Sequence, residues 1–270
     1  MHKIVFFGTS NYCQPLIESL RKNFNLLQII TKSSDFQLSY LTSLSADLFV
    51  VADYGKIIAE EIFTLPKYGT INVHFSRLPK YRGPSPVQYS ILNGEKNSWV
   101  TLIEMGEKVD TGKIIKQLEY KINPQNHTTG SLYSELFKKI AADLPEIIKD
   151  YISGKLKAEN QNEKEATYTK LIKKEDGFLE LNDLIKALLG NEYSLVIERK
   201  VRAFDPWPGV WTRLPNGKRL KILKTHLIPN SLQTINYKLQ TDLVQLEGKK
   251  PVSWKQFLEG YPEIKNQLNL

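Results

Sequence analysis

The chain has 270 residues, 41% of them hydrophobic and 24% charged, with a formal net charge of +8. That length and apolar content suit two packed domains and exclude a disordered chain. A negative mean hydropathy, with no apolar run near 18 residues, excludes a membrane-spanning helix. The lone cysteine, Cys13, excludes an internal disulfide, suits a reducing cytosolic setting, and is expected as a small buried residue.

The N-terminal apolar stretch Ile4–Phe7 is too short for a secretory signal and is read as a first strand, turned by Gly8-Thr9-Ser10. A helix is predicted over 12–22, a strand over 26–31, a helix over 38–44 and a strand over 47–52, the last apolar enough to be buried on both faces. Strands alternating with helices at this spacing imply βαβ units and a mostly parallel, Rossmann-like sheet in an α/β domain. A further strand over 70–73 runs out at His74 and is followed by a Pro- and Gly-rich loop, 78–86. A helix over 86–92 stops at Asn93-Gly94. Strands over 99–105 and 114–122 flank a loop holding Asp110-Thr111-Gly112. A long helix over 130–153 is opened by Thr128 or Thr129.

Residues 155–183 are polar and weakly periodic. The expected division is a catalytic domain over 1–164, a linker over 165–183 and a smaller domain over 184–270. In that last part helices are predicted over 182–189 and 195–203, a hairpin turning at Asn216-Gly217, and more strand near 236–246. Between Arg199 and Lys224 there are eight basic residues and one acid, Asp205. Such a segment is either a solvated sheet face or a surface for nucleic acid.

Asn72 and His74 are two apart at a strand end, so both side chains face one way, toward the carboxyl edge where open parallel sheets bind ligands. With Asp110 on a later loop they suit acyl transfer to an amine. The amide and imidazole can donate to a developing oxyanion, and the carboxylate can take the amine's proton. Each residue also has an ordinary structural reading, as a turn former, a cap or a satisfied buried histidine. Cysteine and histidine do not cluster at metal-ligand spacing, so no metal is expected.

The stretch Asn72-Val73-His74-Phe75-Ser76-Arg77-Leu78-Pro79-Lys80-Tyr81-Arg82-Gly83 resembles the signature of the folate-dependent formyltransferases, and Asp110-Thr111-Gly112 resembles that family's third element. The resemblance implies that Asn72, His74 and Asp110 are catalytic and that 10-formyltetrahydrofolate is the formyl donor. It also implies that Ser76, Arg77, Leu78 and Pro79 form a folate-associated loop, and that Lys56, Ile57, Ile58 and the loop from Met105 to Val109 line the pterin pocket. Arg77 either attracts the folate's carboxylate tail or is a surface residue.

The segments Ala166-Thr167-Tyr168, Arg202-Ala203-Phe204-Asp205-Pro206-Trp207-Pro208 and Leu246–Pro251 are similar to the methionyl-tRNA formyltransferase branch of the family. That branch implies an OB-like β-barrel as C-terminal domain, initiator methionyl-tRNA as acceptor, and Arg202, Lys218, Arg219 and Lys221 among the tRNA contacts. It implies a cytoplasmic protein, expected as a monomer. One departure stands out. Only residues 32–45 separate the strands at 26–31 and 47–52, where the family has a long basic loop and a further βα unit. In the family that loop reaches the end of the tRNA acceptor stem. Without it, a small amine such as an amino-sugar nucleotide or glycinamide ribonucleotide is the alternative acceptor.

Overall fold

The structure, a computed structural model, describes residues 1–32, 37–121, 123, 126–229 and 237–267. The ends of two expected strands, residues 122 and 236, lie outside the described residues. The chain divides into two compact units. The first comprises residues 1–90, 96–123 and 131–171, and the second comprises 91–95, 124–130 and 172–270.

In the first unit six strands form one sheet in the order β2-β1-β3-β4-β5-β6. They are β1 (Lys3–Phe7), β2 (Asn25–Ile30), β3 (Leu48–Ala52), β4 (Thr70–His74), β5 (Ser98–Glu104) and β6 (Ile114–Tyr120). The first four pair in parallel, and β4-β5 and β5-β6 pair antiparallel. All five residues of β3 are buried, as a strand covered on both faces requires. Helices α1 (Gln14–Asn23), α2 (Leu38–Ser43), α3 (Glu60–Phe63), α4 (Pro86–Leu92) and α5 (Thr129–Ile152) connect the strands. Period two sends Val5, Phe7, Phe49 and Val51 to one face, where Ile30, Leu41 of α2, Ile58 and Phe63 complete a core cluster. Each such side chain, taken out of water, contributes roughly 1.5–3 kcal/mol. Among the described residues α2 is the one element between β2 and β3, and β2 ends the sheet.

The polar stretch expected as a linker is ordered in both units. Residues 167 and 169 pair with the 79–85 loop of the first unit, through Thr167 N–H to Pro79 O (3.2 Å) and Thr169 N–H to Arg82 O (2.7 Å). Phe178 and Leu179 pack in the second unit, the latter donating to Trp211 O (2.8 Å).

The second unit holds one four-stranded antiparallel sheet, order β10-β9-β8-β7. Its strands are β7 (Val210–Arg213), β8 (Arg219–Pro229), β9 (Tyr237–Leu246) and β10 (Val252–Ser253). Helices α6 (Leu181–Leu189) and α7 (Tyr193–Ala203) pack on it through buried residues such as Leu184, Leu188, Ile197 and Val201. The β7–β8 connection differs in detail from a two-residue turn. Leu214 N–H donates to Lys218 O (2.9 Å), which leaves the three-residue loop Pro215-Asn216-Gly217 with Gly217 left-handed at φ 80°. Two short helices unforeseen in the sequence close the chain, α8 (Trp254–Glu259) and α9 (Pro262–Gln267). The first is opened by a capping box in which Ser253 Oγ accepts from the Gln256 amide (3.3 Å).

Cys13 is 1% exposed, and burial pushes its thiol up to about 11. Native protein at pH 8 is therefore expected to resist alkylation by iodoacetamide, with reaction appearing on unfolding. Fast stoichiometric labelling of the native protein would contradict this packing.

Candidate active site

The cleft forms where β3 and β4 run out. Its cavity is about 380 Å³. Buried Val51, Ile58 and Ile103 give it an apolar floor, the segments 53–58 and 105–110 wall it, and Asn72, His74 and Asp110 lie together in it. The rim carries two apolar side chains that gain nothing from water, Ile57 at 92% and Val109 at 62% exposed.

Period two along β4 turns Asn72 and His74 to the same side, and the β5–β6 connection brings Asp110 to them. Asn72 Nδ2 donates to Asp110 Oδ1 at 3.2 Å, and His74 Nδ1 lies 3.5 Å from the same oxygen. The other carboxylate oxygen accepts the Gly83 backbone N–H at 2.7 Å. His74 Nε2 lies 3.0 Å from the Tyr81 carbonyl. A carbonyl only accepts, so Nε2 carries a proton and Nδ1 is the nitrogen turned to Asp110. The imidazole is 6% exposed, so its orientation is set by these two contacts rather than by solvent.

The backbone around this cluster is held in conformations that side chains disfavour. Asp53, Tyr81 and Asp110 all have positive φ, at 49°, 61° and 56°. Such residues cost on the order of 1 kcal/mol each and persist where their surroundings dictate them. Gly112 shows one such constraint, because a Cβ there would collide with the Glu104 carbonyl. Arg82 shows another. Its side chain is 1% exposed and makes a two-pronged contact with Glu163, Nη1–Oε2 at 2.9 Å and Nη2–Oε1 at 2.6 Å. The guanidinium holds the Glu163 carboxyl below its ordinary value of 4.5. A lowered carboxyl contributes above that ordinary value and its contribution is lost as the pH falls through the lowered one.

Of the residues expected from sequence, Asn72, His74, Asp110, Lys56, Ile57, Ile58 and Val109 line the cleft. Ser76, Arg77, Leu78 and Pro79 are not among the residues that line it. Ser76 Oγ donates to Lys80 O (2.7 Å), and Leu78 receives Gln117 Nε2 on its carbonyl (2.7 Å). The Arg77 guanidinium stacks on Trp99 with 4.7 Å to the ring centroid. Gly83, Asp53 and Tyr133 line the cleft without having been singled out. Gly83 could have been found from the Tyr81-Arg82-Gly83 segment, since a glycine beside a catalytic motif often marks close backbone approach.

In the second unit Arg202 is committed elsewhere, to Glu198 (Nε–Oε1 2.5 Å) and to His127 O (3.1 Å). Lys200 is also internal, donating to Phe178 O at 2.8 Å, with its ammonium lowered by burial. The basic face is therefore narrower than the count of charges implied. It centres on β7 and β8, where Lys218, Lys221 and Arg213 are exposed, and Arg213 and Arg219 lie over Trp211 at 5.9 and 5.5 Å.

Comparison with known proteins places both units. The family described as "Formyl transferase" matches residues 30–148, and "Formyl transferase, C-terminal domain" matches residues 171–262. The methionyl-tRNA formyltransferase of Agathobacter rectalis is 33% identical over 259 residues, covering 90% of this chain and 80% of that one. The methionyl-tRNA formyltransferase of Protochlamydia amoebophila is 37% identical over 320 aligned positions, covering 98% and 96%. Since this chain has 270 residues, at least 50 of those 320 positions face gaps in it. Among solved structures, the methionyl-tRNA formyltransferase from Clostridium thermocellum superposes with a TM-score of 0.70 at 20% identity, covering 91% of this chain and 99% of that one, which shows a shared fold.

Gly112→Ala is expected to displace the Asp110 loop and cut turnover at least tenfold. A variant with near-native turnover would show that the Gly112 contact does not position Asp110.

Proposed function

The chain belongs to the methionyl-tRNA formyltransferase family, and on that premise we propose that it moves the formyl group of 10-formyltetrahydrofolate onto the amino group of initiator methionyl-tRNA, for translation initiation. The observation that carries this reading is the convergence of Asn72, His74 and Asp110 at one cleft of a chain that has both formyl transferase domains.

The cleft suits a flat ring system with a polar edge: an apolar floor lies between two stretches of main chain, 53–58 and 105–110, whose peptide groups can read that edge. Bound there, the folate supplies an activated formyl carbon. When the acceptor amine adds to it, negative charge develops on the formyl oxygen. As that oxyanion collapses, the bond from the formyl carbon to N10 of the folate breaks, and tetrahydrofolate leaves with N10 carrying the proton that the amine sheds. Asn72 has a second amide N–H beyond the one given to Asp110, and Nδ1 of His74 can carry a donor proton, so both can stabilise that charge. Asp110 is the one carboxylate in the cluster and takes the proton that the amine sheds, directly or through water. Its bonds to Asn72 and Gly83 fix the direction of its lone pairs before substrate arrives.

For the tRNA, the β7–β8 face supports contact in the second unit. Trp211 offers a stacking surface, and Arg213, Lys218, Arg219 and Lys221 offer phosphate partners. The proposed catalytic set comes from one chain, which supports a monomer, and charged tRNA as the acceptor supports a cytoplasmic protein. The acceptor stem is met without the long basic loop of the family, since among the described residues α2 is the one element between β2 and β3.

Formylation of methionyl initiator tRNA by the purified protein tests this reading. His74→Ala and Asn72→Ala are each expected to lower turnover about 100-fold or more with the fold retained. Wild-type protein that formylates an amino-sugar nucleotide and leaves methionyl-tRNA untouched would replace the proposed acceptor. Changing Lys218, Arg219 and Lys221 together to Ala is expected to weaken tRNA binding and to flatten its dependence on the logarithm of salt concentration by about 2–3 units. An unchanged slope would remove the β7–β8 face from the tRNA contact.

A further inference from the structure

Asp110 is held through its side chain by Asn72 and Gly83, but its main chain is held by a residue 51 positions further on. Gln161 Nε2 donates to the Asp110 carbonyl at 2.8 Å and to the Gly112 carbonyl at 2.7 Å. Its Oε1 accepts from Arg82 Nε at 3.1 Å and Arg82 Nη2 at 2.7 Å. One carboxamide thus uses both its N–H groups on the loop that carries the proposed base, and its oxygen on the buried arginine next to Gly83, which itself donates to Asp110.

The segment bearing Gln161 is anchored on either side. Glu159 pairs with Ile114 at the start of β6 through two backbone bonds of 2.7 and 2.9 Å. Further along, Glu163 grips Arg82, and Thr167 and Thr169 bond to the backbone of Arg82. Residues 107–109 are exposed, so little packing restrains the loop, and Asp110 sits at φ 56°. Water could satisfy the carbonyls of Asp110 and Gly112 if Gln161 were absent, but it would not fix their direction. Losing the two donors of the clamp while its oxygen stays for Arg82 therefore costs little folding stability and much precision. A misplacement near 1 Å at a reacting group costs on the order of 100-fold in rate.

We propose that Gln161 is a positioning residue for formyl transfer, holding the backbone of Asp110 in the left-handed conformation that aims its carboxylate at His74 and Asn72. The proposal rests on Asp110 acting as the base in the reaction above. The test uses Gln161→Met, which keeps the shape and removes every hydrogen bond, and Gln161→Glu, which keeps an acceptor for Arg82 and removes both donors. Each is expected to lower kcat about 10- to 100-fold, with KM for 10-formyltetrahydrofolate within about threefold of wild type. Gln161→Met, which takes two acceptor contacts from the buried Arg82, is also expected to melt lower, whereas Gln161→Glu keeps an acceptor for it.

An activity-independent readout is the Gly83 amide resonance in 15N-glycine-labelled protein, which reports the 2.7 Å bond to Asp110. It is expected to move in both variants. Unchanged kcat, or a Gly83 resonance that stays in place, overturns the proposal. So does a fall in kcat matched by an equal loss of folded protein. If Gln161→Met does not fold, Gln161→Glu decides. If wild-type protein fails to formylate methionyl-tRNA, the acceptor reading falls and the Gly83 resonance decides this one.

Discussion

A carboxylate that accepts several hydrogen bonds and is itself nearly buried cannot wander, and the Asp110 carboxylate is the point from which the rest of this site takes its geometry. One oxygen receives the Gly83 N–H at 2.7 Å, and the other faces Asn72 Nδ2 at 3.2 Å and His74 Nδ1 at 3.5 Å. Those contacts tie three separate pieces of chain together: the end of β4, the loop after it and the β5–β6 connection. Remove the carboxylate and each piece loses a bond that ties it to the others. Buried networks of this kind are expensive when partly satisfied.

Around that point the chain has placed a second layer. Arg82 is almost wholly buried beneath the cleft loop and is met by Gln161, Glu163 and Tyr168, all from the segment that leads out of the first unit. The same segment pairs its backbone with residues 79–85. A stretch that reads as a polar linker therefore works as a strap across the back of the site. Its Glu163 carboxylate and Gln161 carboxamide together satisfy one arginine, and the carboxamide also satisfies two loop carbonyls.

How much of this was legible in the sequence follows from how local each signal is. The alternation of apolar strands and helices marked β1 to β4, and period two placed Asn72 and His74 on one face, because both patterns are read within a few residues. The convergence of Asp110 with them depends on a partner 38 positions away, and it was legible only through the family motif. Arg82 with Gln161 and Glu163, at separations of 79 and 81, left no local trace at all. Charge counting failed in the opposite direction. Lys200 and Arg202 raise the basicity of 199–224, yet each is spent on an internal acceptor, and only the pairing of β7 with β8 shows which cations reach solvent beside Trp211. The helices α8 and α9 escaped because six-residue elements show less than two turns of periodicity.

None of the residues shown to position Asp110 comes from the connection between β2 and β3. The central claim is that the Asp110 carboxylate removes the proton from the attacking amine. Single-turnover formyl transfer by Asp110→Asn tests it most directly, because the amide has nearly the carboxylate's shape, can still accept a hydrogen bond from Gly83, and cannot act as a base. The account predicts folate binding within a few-fold of wild type and a transfer rate lowered by about 100-fold or more. A transfer rate within threefold of wild type would contradict it and move the proton to another group.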